Sequence, residues 1–108
     1  MHRFAFKMKL FKGCEEGYKR RHNHLWPDLK LLLEQASVKE YSIFLDEESR
    51  TLFGYLTTND TIKFNLLKDD IIMQKWWVFM KDFMETNDDN SPVTINLKDV
   101  FYLAQYNC

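Results

Sequence analysis

No run of apolar residues in this chain is long enough to span a bilayer. Neither charge sign dominates: fifteen Lys and Arg face sixteen Asp and Glu, a formal net charge of −1. Such a balance gives no general attraction to nucleic acid or to an anionic membrane. The short run Lys19-Arg20-Arg21 is too small for a nucleic-acid footprint and reads as the solvated face of a helix. There are only two cysteines, Cys14 and Cys108. They make no CxxC pair, no zinc spacing and no disulfide scaffold, although a single bridge between them stays open. No internal repeat and no low-complexity segment breaks the sequence. The first residues, Met1 to Lys7, alternate in polarity and carry charge, unlike the apolar core of a signal peptide. The default expectation is a soluble cytoplasmic protein, residues 1–108 forming one domain.

What is abundant is aromatic. Nine Phe, five Tyr and three Trp in 108 residues are a large apolar content for one small core. They suggest that a second surface is buried as well.

Residues 3–10 alternate, with Phe4, Phe6, Met8 and Leu10 on one face, and read as a strand. Gly13 ends it. From about Cys14 to Ala36 a helical stripe runs through Tyr18, His22, Leu25, Trp26, Leu29, Leu32, Leu33 and Ala36. Pro27 lacks an N–H and clashes with the preceding turn, so a kink or break is expected there. Residues 38–46 and 51–57 read as a hairpin around a polar turn. Asn59 or Asp60 can cap a second helical region, with a break near Lys68-Asp69-Asp70. The stripe then resumes with Ile72, Trp76, Phe79, Met80, Phe83 and Met84. Asn87 to Pro92 is a polar loop, and Asp99 to Leu103 is expected as the last strand.

The order β-α-β-β-α-β is the ferredoxin-like arrangement: an α+β fold with an antiparallel sheet and helices on one face. The hairpin is apolar on both faces, however. Tyr41, Ile43 and Leu45 oppose Phe44, and Leu52 and Leu56 oppose Phe53 and Tyr55. A one-sided sheet should alternate apolar and polar. The uncovered face calls for a second copy of the chain, sheet against sheet.

Three kinds of residue can carry chemistry. A helix turns about 100° per residue, which puts His22 inward beside Tyr18, Trp26 and Leu29 and turns His24 outward. His22 is either a core histidine held by a hydrogen bond or a general acid or base. The i, i+2 spacing of His22 and His24 points them apart, so they are not a helical metal pair. Trp76 fits the core stripe, while the adjacent Trp77 does not. Trp77 is either an edge or interface residue or a platform for the C–H face of a sugar. Tyr18 and Tyr41 combine an apolar ring with a hydroxyl. With His22 and the Trp pair they make the walls a neutral polyol pocket uses.

The stretch Tyr18-Lys19-Arg20-Arg21-His22-Asn23-His24-Leu25-Trp26-Pro27-Asp28-Leu29 resembles the signature of L-rhamnose mutarotases. So do Tyr41 to Asp46, Gln74-Lys75-Trp76-Trp77, and Asp89 to Val93 leading into Val100 to Leu103. The resemblance covers nearly the whole chain. It implies a dimeric α/β-barrel and a single mutarotase domain. It implies an isomerase that interconverts the α and β anomers of L-rhamnose without metal or nucleotide. Carried over by position, His22 matches the proton donor, and Tyr18, Tyr41, Trp76 and Trp77 match sugar-binding residues. Two departures are His24, where proline is expected, and the tail from Ala104 to Cys108. Two rivals remain: a cofactor-independent monooxygenase or haem-degrading protein of the same fold, and a non-catalytic dimeric module that binds a small ligand.

Overall fold

The computed structural model describes residues 1–104. Cys108, and with it the question of a bridge to Cys14, lies outside the described residues, as does most of the tail. Strand β1 (His2–Lys9) leads through a turn at Gly13 to helices α1 (Glu15–Asn23) and α2 (Pro27–Gln35). The hairpin β2 (Val38–Asp46) and β3 (Thr51–Thr58) follows, then α3 (Thr61–Asn65), α4 (Ile71–Met80) and a two-residue strand β4 (Ile95–Asn96). The four strands form one antiparallel sheet in the order β2-β3-β1-β4. No helix among the described residues is long and apolar enough to cross a membrane.

The expected break at Pro27 divides two helices. Pro27 takes the first position of α2, where the missing N–H has no partner to lose. Trp26, before it, is extended (φ −59°, ψ 131°), since proline crowds its predecessor out of the helical region. Helix α1 has Glu15 and Glu16 in its first turn and Arg20, Arg21 and His22 in its last, which complements its dipole. The second helical region breaks where anticipated. Asp60 caps α3 by accepting from the Lys63 N–H at 3.0 Å. Asp70, after a short 3-10 turn, caps α4 by accepting from the Ile72 N–H at 2.8 Å.

One expectation needs correction. The last strand lies at Ile95–Asn96, paired with Lys7 and Phe6, and Asp99 to Leu103 has no regular structure. The Leu97 N–H still bonds to the Ala5 carbonyl at 2.8 Å. Beyond it the chain is held by side chains: Asp99 binds Arg3, whose guanidinium lies 3.8 Å from the centre of the Tyr102 ring.

Met8, Leu10, Tyr18, Leu29, Leu52, Trp76, Met80 and Met84 form a core cluster, and Ala36, Leu56 and Leu67 are buried outside it. The sheet contributes Met8 and Leu52, and each of α1, α2 and α4 sends at least one residue into it. The opposite face of the sheet shows Phe44, 69% exposed, and Phe53, 38% exposed.

Candidate active site

Tyr18 and His22 stand one turn apart on α1. Their rings stack with centroids 4.3 Å apart and an interplanar angle of 28°. The His22 Nδ1 lies 3.0 Å from the Tyr18 carbonyl oxygen. A carbonyl only accepts, so Nδ1 carries the proton and Nε2 keeps the lone pair of the neutral ring. From α4, Trp76 meets His22 edge-on at 5.4 Å. Trp26, in the α1–α2 connection, meets Trp76 edge-on at 5.1 Å, and its ring lies tilted by 40° to that of Phe79 at 5.3 Å.

Helix α1 is docked from behind. The Arg21 guanidinium sits 4.0 Å from the centres of both the Phe79 and Phe83 rings and donates to the Phe79 carbonyl. The Phe83 ring also lies against Gly17, where a Cβ would come within 2.8 Å of it. These contacts fix α1 against the end of α4, and so fix Tyr18 and His22 relative to the tryptophans.

Across the fold, β2 supplies Tyr41, whose ring meets Phe6 of β1 edge-on at 6.3 Å. Between helices and sheet opens a cavity of about 760 Å³, within the usual size of a small-molecule site. Tyr18, His22, Tyr41, Trp76 and Trp77, the five residues singled out from the sequence, all line it. Its floor is apolar, formed by Met8, Leu10, Leu52 and Met80. His24 is exposed, donates from Nδ1 to the Arg20 carbonyl at 2.9 Å, and does not line the cavity.

Sequence reasoning missed the polar rim. Glu15 and Lys19 flank Tyr18 on α1; Glu47 comes from the β2–β3 turn, and Thr86 and Asn90 from the loop after α4. The first two share the helical phase of Tyr18 and His22, a signal that was there to follow. The other three come from loops whose approach depends on the closed fold.

Burial sets the protonation states. It lowers the His22 pKa below 6.5, opposed by the hydrogen bond to the Tyr18 carbonyl. It raises Tyr18 above the ordinary tyrosine value, with the nearby Tyr41 phenol adding to the rise. It pushes Tyr41 up to about 12. Tyr41 nevertheless leaves 43% of its surface accessible. It forms a wall of the open cavity, and the upward shift keeps its phenol protonated near neutral pH. Near neutral pH the site therefore offers a neutral imidazole with a free Nε2 and two phenols that keep their protons. Among the described residues no group of three His, Cys, Asp or Glu is placed to hold a metal ion.

The L-rhamnose mutarotase family model matches residues 3–103. An L-rhamnose mutarotase of Formosa agariphila is 52% identical over 103 residues, covering 95% of this chain and 99% of that protein. One of Lachnoclostridium phytofermentans is 48% identical with the same coverage. The crystal structure of an L-rhamnose mutarotase from Formosa agariphila superposes with a TM-score of 0.89 at 50% identity, covering 96% of this chain and all of that one.

Proposed function

Since this chain belongs to the L-rhamnose mutarotase family, we propose that it interconverts the α and β anomers of L-rhamnose by opening and reclosing the pyranose ring in this cavity. The observation that carries the mechanism is the hydrogen bond from His22 Nδ1 to the Tyr18 carbonyl. It leaves one basic nitrogen on a side chain that lines the cavity.

Opening a hemiacetal moves one proton from the C1 hydroxyl to the ring oxygen. Both oxygens are bonded to C1, so one imidazole can serve both. Nε2 takes the C1 hydroxyl proton, the bond from C1 to the ring oxygen breaks, and the imidazolium returns the proton to the released oxygen. The aldehyde rotates about C1–C2 and closes on its other face by the same steps reversed. The protonated phenols of Tyr18 and Tyr41 donate hydrogen bonds to sugar oxygens that carry charge during the reaction. Trp76 and Trp77 offer aromatic surface for the C–H face and N–H groups for hydroxyls. General acid–base catalysis of this kind contributes about 10²–10⁴-fold.

The family match does not favour the monooxygenase, haem-degrading or ligand-binding readings. A homodimer fits the exposed apolar face of the sheet around Phe44 and Phe53, together with the exposed Ile95, Val100, Phe101 and Leu103. The cytoplasm is the proposed compartment. Magnetisation-exchange NMR on L-rhamnose, with and without the protein, tests the activity directly: added protein should speed anomer exchange, and unchanged exchange would refute it.

A further inference from the structure

On the helix-facing side of the sheet, Phe6, Gly54 and Ile43 make one cross-strand row, and Tyr41 lies two residues along β2 from Ile43. The Phe6 ring does not stand upright in this row. It lies over β3 where Gly54 has no side chain: a Cβ there would fall 2.5 Å from two of its ring carbons. Lying across β3, the ring reaches the far strand and meets the Tyr41 ring edge-on, at 6.3 Å and 89°. Edge-to-face contact at this distance is favourable and directional. Gly54 itself is buried and its φ is not positive, so its backbone conformation gives no reason for glycine. The reason on view is the space above it.

We infer that Gly54 is a positioning residue for the sugar site: its missing side chain lets the Phe6 ring cross β3 and hold Tyr41 in place at the cavity wall. This rests on the proposed role of Tyr41 as a sugar-binding residue. A Cβ at position 54 would lift Phe6 off the strand, and Tyr41 would lose the ring edge that fixes it. The hydroxyl would then no longer be held for the sugar.

The test is a double-mutant cycle read by NMR exchange kinetics on L-rhamnose. Tyr41→Phe keeps the ring and removes the hydroxyl; it should raise KM by about tenfold, the worth of one hydrogen bond. Gly54→Ala should raise KM similarly with a smaller effect on kcat, and should add little when combined with Tyr41→Phe. If Gly54→Ala does not fold, Phe6→Leu runs the same cycle, since it removes the ring edge and leaves an aliphatic side chain over the glycine. An unchanged KM in Tyr41→Phe overturns the role given to Tyr41, and the inference with it. A raised KM in Tyr41→Phe, with the second substitution adding its full effect on top or leaving KM untouched by itself, overturns the positioning role alone.

Discussion

His22 is tied to Tyr18 twice, by ring stacking at 4.3 Å and by the hydrogen bond from Nδ1 to the Tyr18 carbonyl. One turn of helix thus fixes both the orientation and the tautomer of the proposed catalytic imidazole. A histidine merely filling a core needs the second contact only. Here the remaining nitrogen belongs to a side chain on the cavity wall.

His22→Ala should lower the catalysed exchange rate by about 10²–10⁴-fold. His24→Ala should keep most of the activity, because His24 is exposed and bonded back to its own helix at Arg20. The measurement is anomer exchange on both purified variants. Equal losses would remove His22 from its special place.

The rate should fall on acidification. Burial lowers the His22 pKa, so the acid limb of the kcat/KM profile should have its midpoint below 6.5. Both phenols are raised above the ordinary tyrosine value and keep their protons from neutral to mildly alkaline pH, giving no alkaline limb there. Stability follows the same sign. The unfolded histidine binds its proton near 6.5, and the folded one at lower pH. His22 therefore favours the folded state above that value, and this contribution shrinks as pH falls through 6.5 toward the folded pKa. Denaturant midpoints across this range, compared with those of His22→Gln, isolate the contribution.

Trp76→Ala and Trp77→Ala should separate stability from binding. Trp76 is 7% exposed and touches His22, Trp26 and Phe79. Its truncation should cost about 3–5 kcal/mol. Trp77 is only half-buried, so its truncation should cost clearly less while weakening L-rhamnose binding. A denaturant melt paired with sugar titration decides this. Severe destabilisation with normal binding by the folded fraction would make Trp77 structural.

Sedimentation equilibrium at micromolar protein should give twice the chain mass. Phe44→Asp, which places a charge on the exposed apolar face, should shift the equilibrium to monomer without unfolding the chain. A monomeric native protein would refute the homodimer.

The parts of this fold legible in the sequence are those with local causes. Alternation marks β1 and the hairpin, and helical phase separates His22 from His24. Pro27 marks the break between α1 and α2, Asn59-Asp60 holds the cap of the second helical region, and Lys68-Asp69-Asp70 marks its break; that Asp60 and Asp70 are the capping residues is settled by the structure. Strand β4 was not legible, because two residues carry no period. The apolar side chains of Val100, Phe101 and Leu103 imitate a strand, but they remain exposed beside an arm fastened through Asp99 and Tyr102. The five proposed site residues stood out by residue type, helical phase and family resemblance. Their convergence on one cavity depends on pairing across β3, as does the approach of Glu47, Thr86 and Asn90 to its rim.

The placement of β1 also sets an order of assembly. Strands β2 and β3 are joined by a short turn and can pair early, since little loop entropy opposes them. Strand β1 must wait: Phe6 pairs with Gly54 on one side and with Asn96, near the other end of the chain, on the other. Such distant pairings are slow to close. Helix α1 follows directly on β1, so Tyr18 and His22 cannot settle above the sheet before that strand is in place. In refolding, catalytic activity should return with the closure of β1, after the hairpin has already formed.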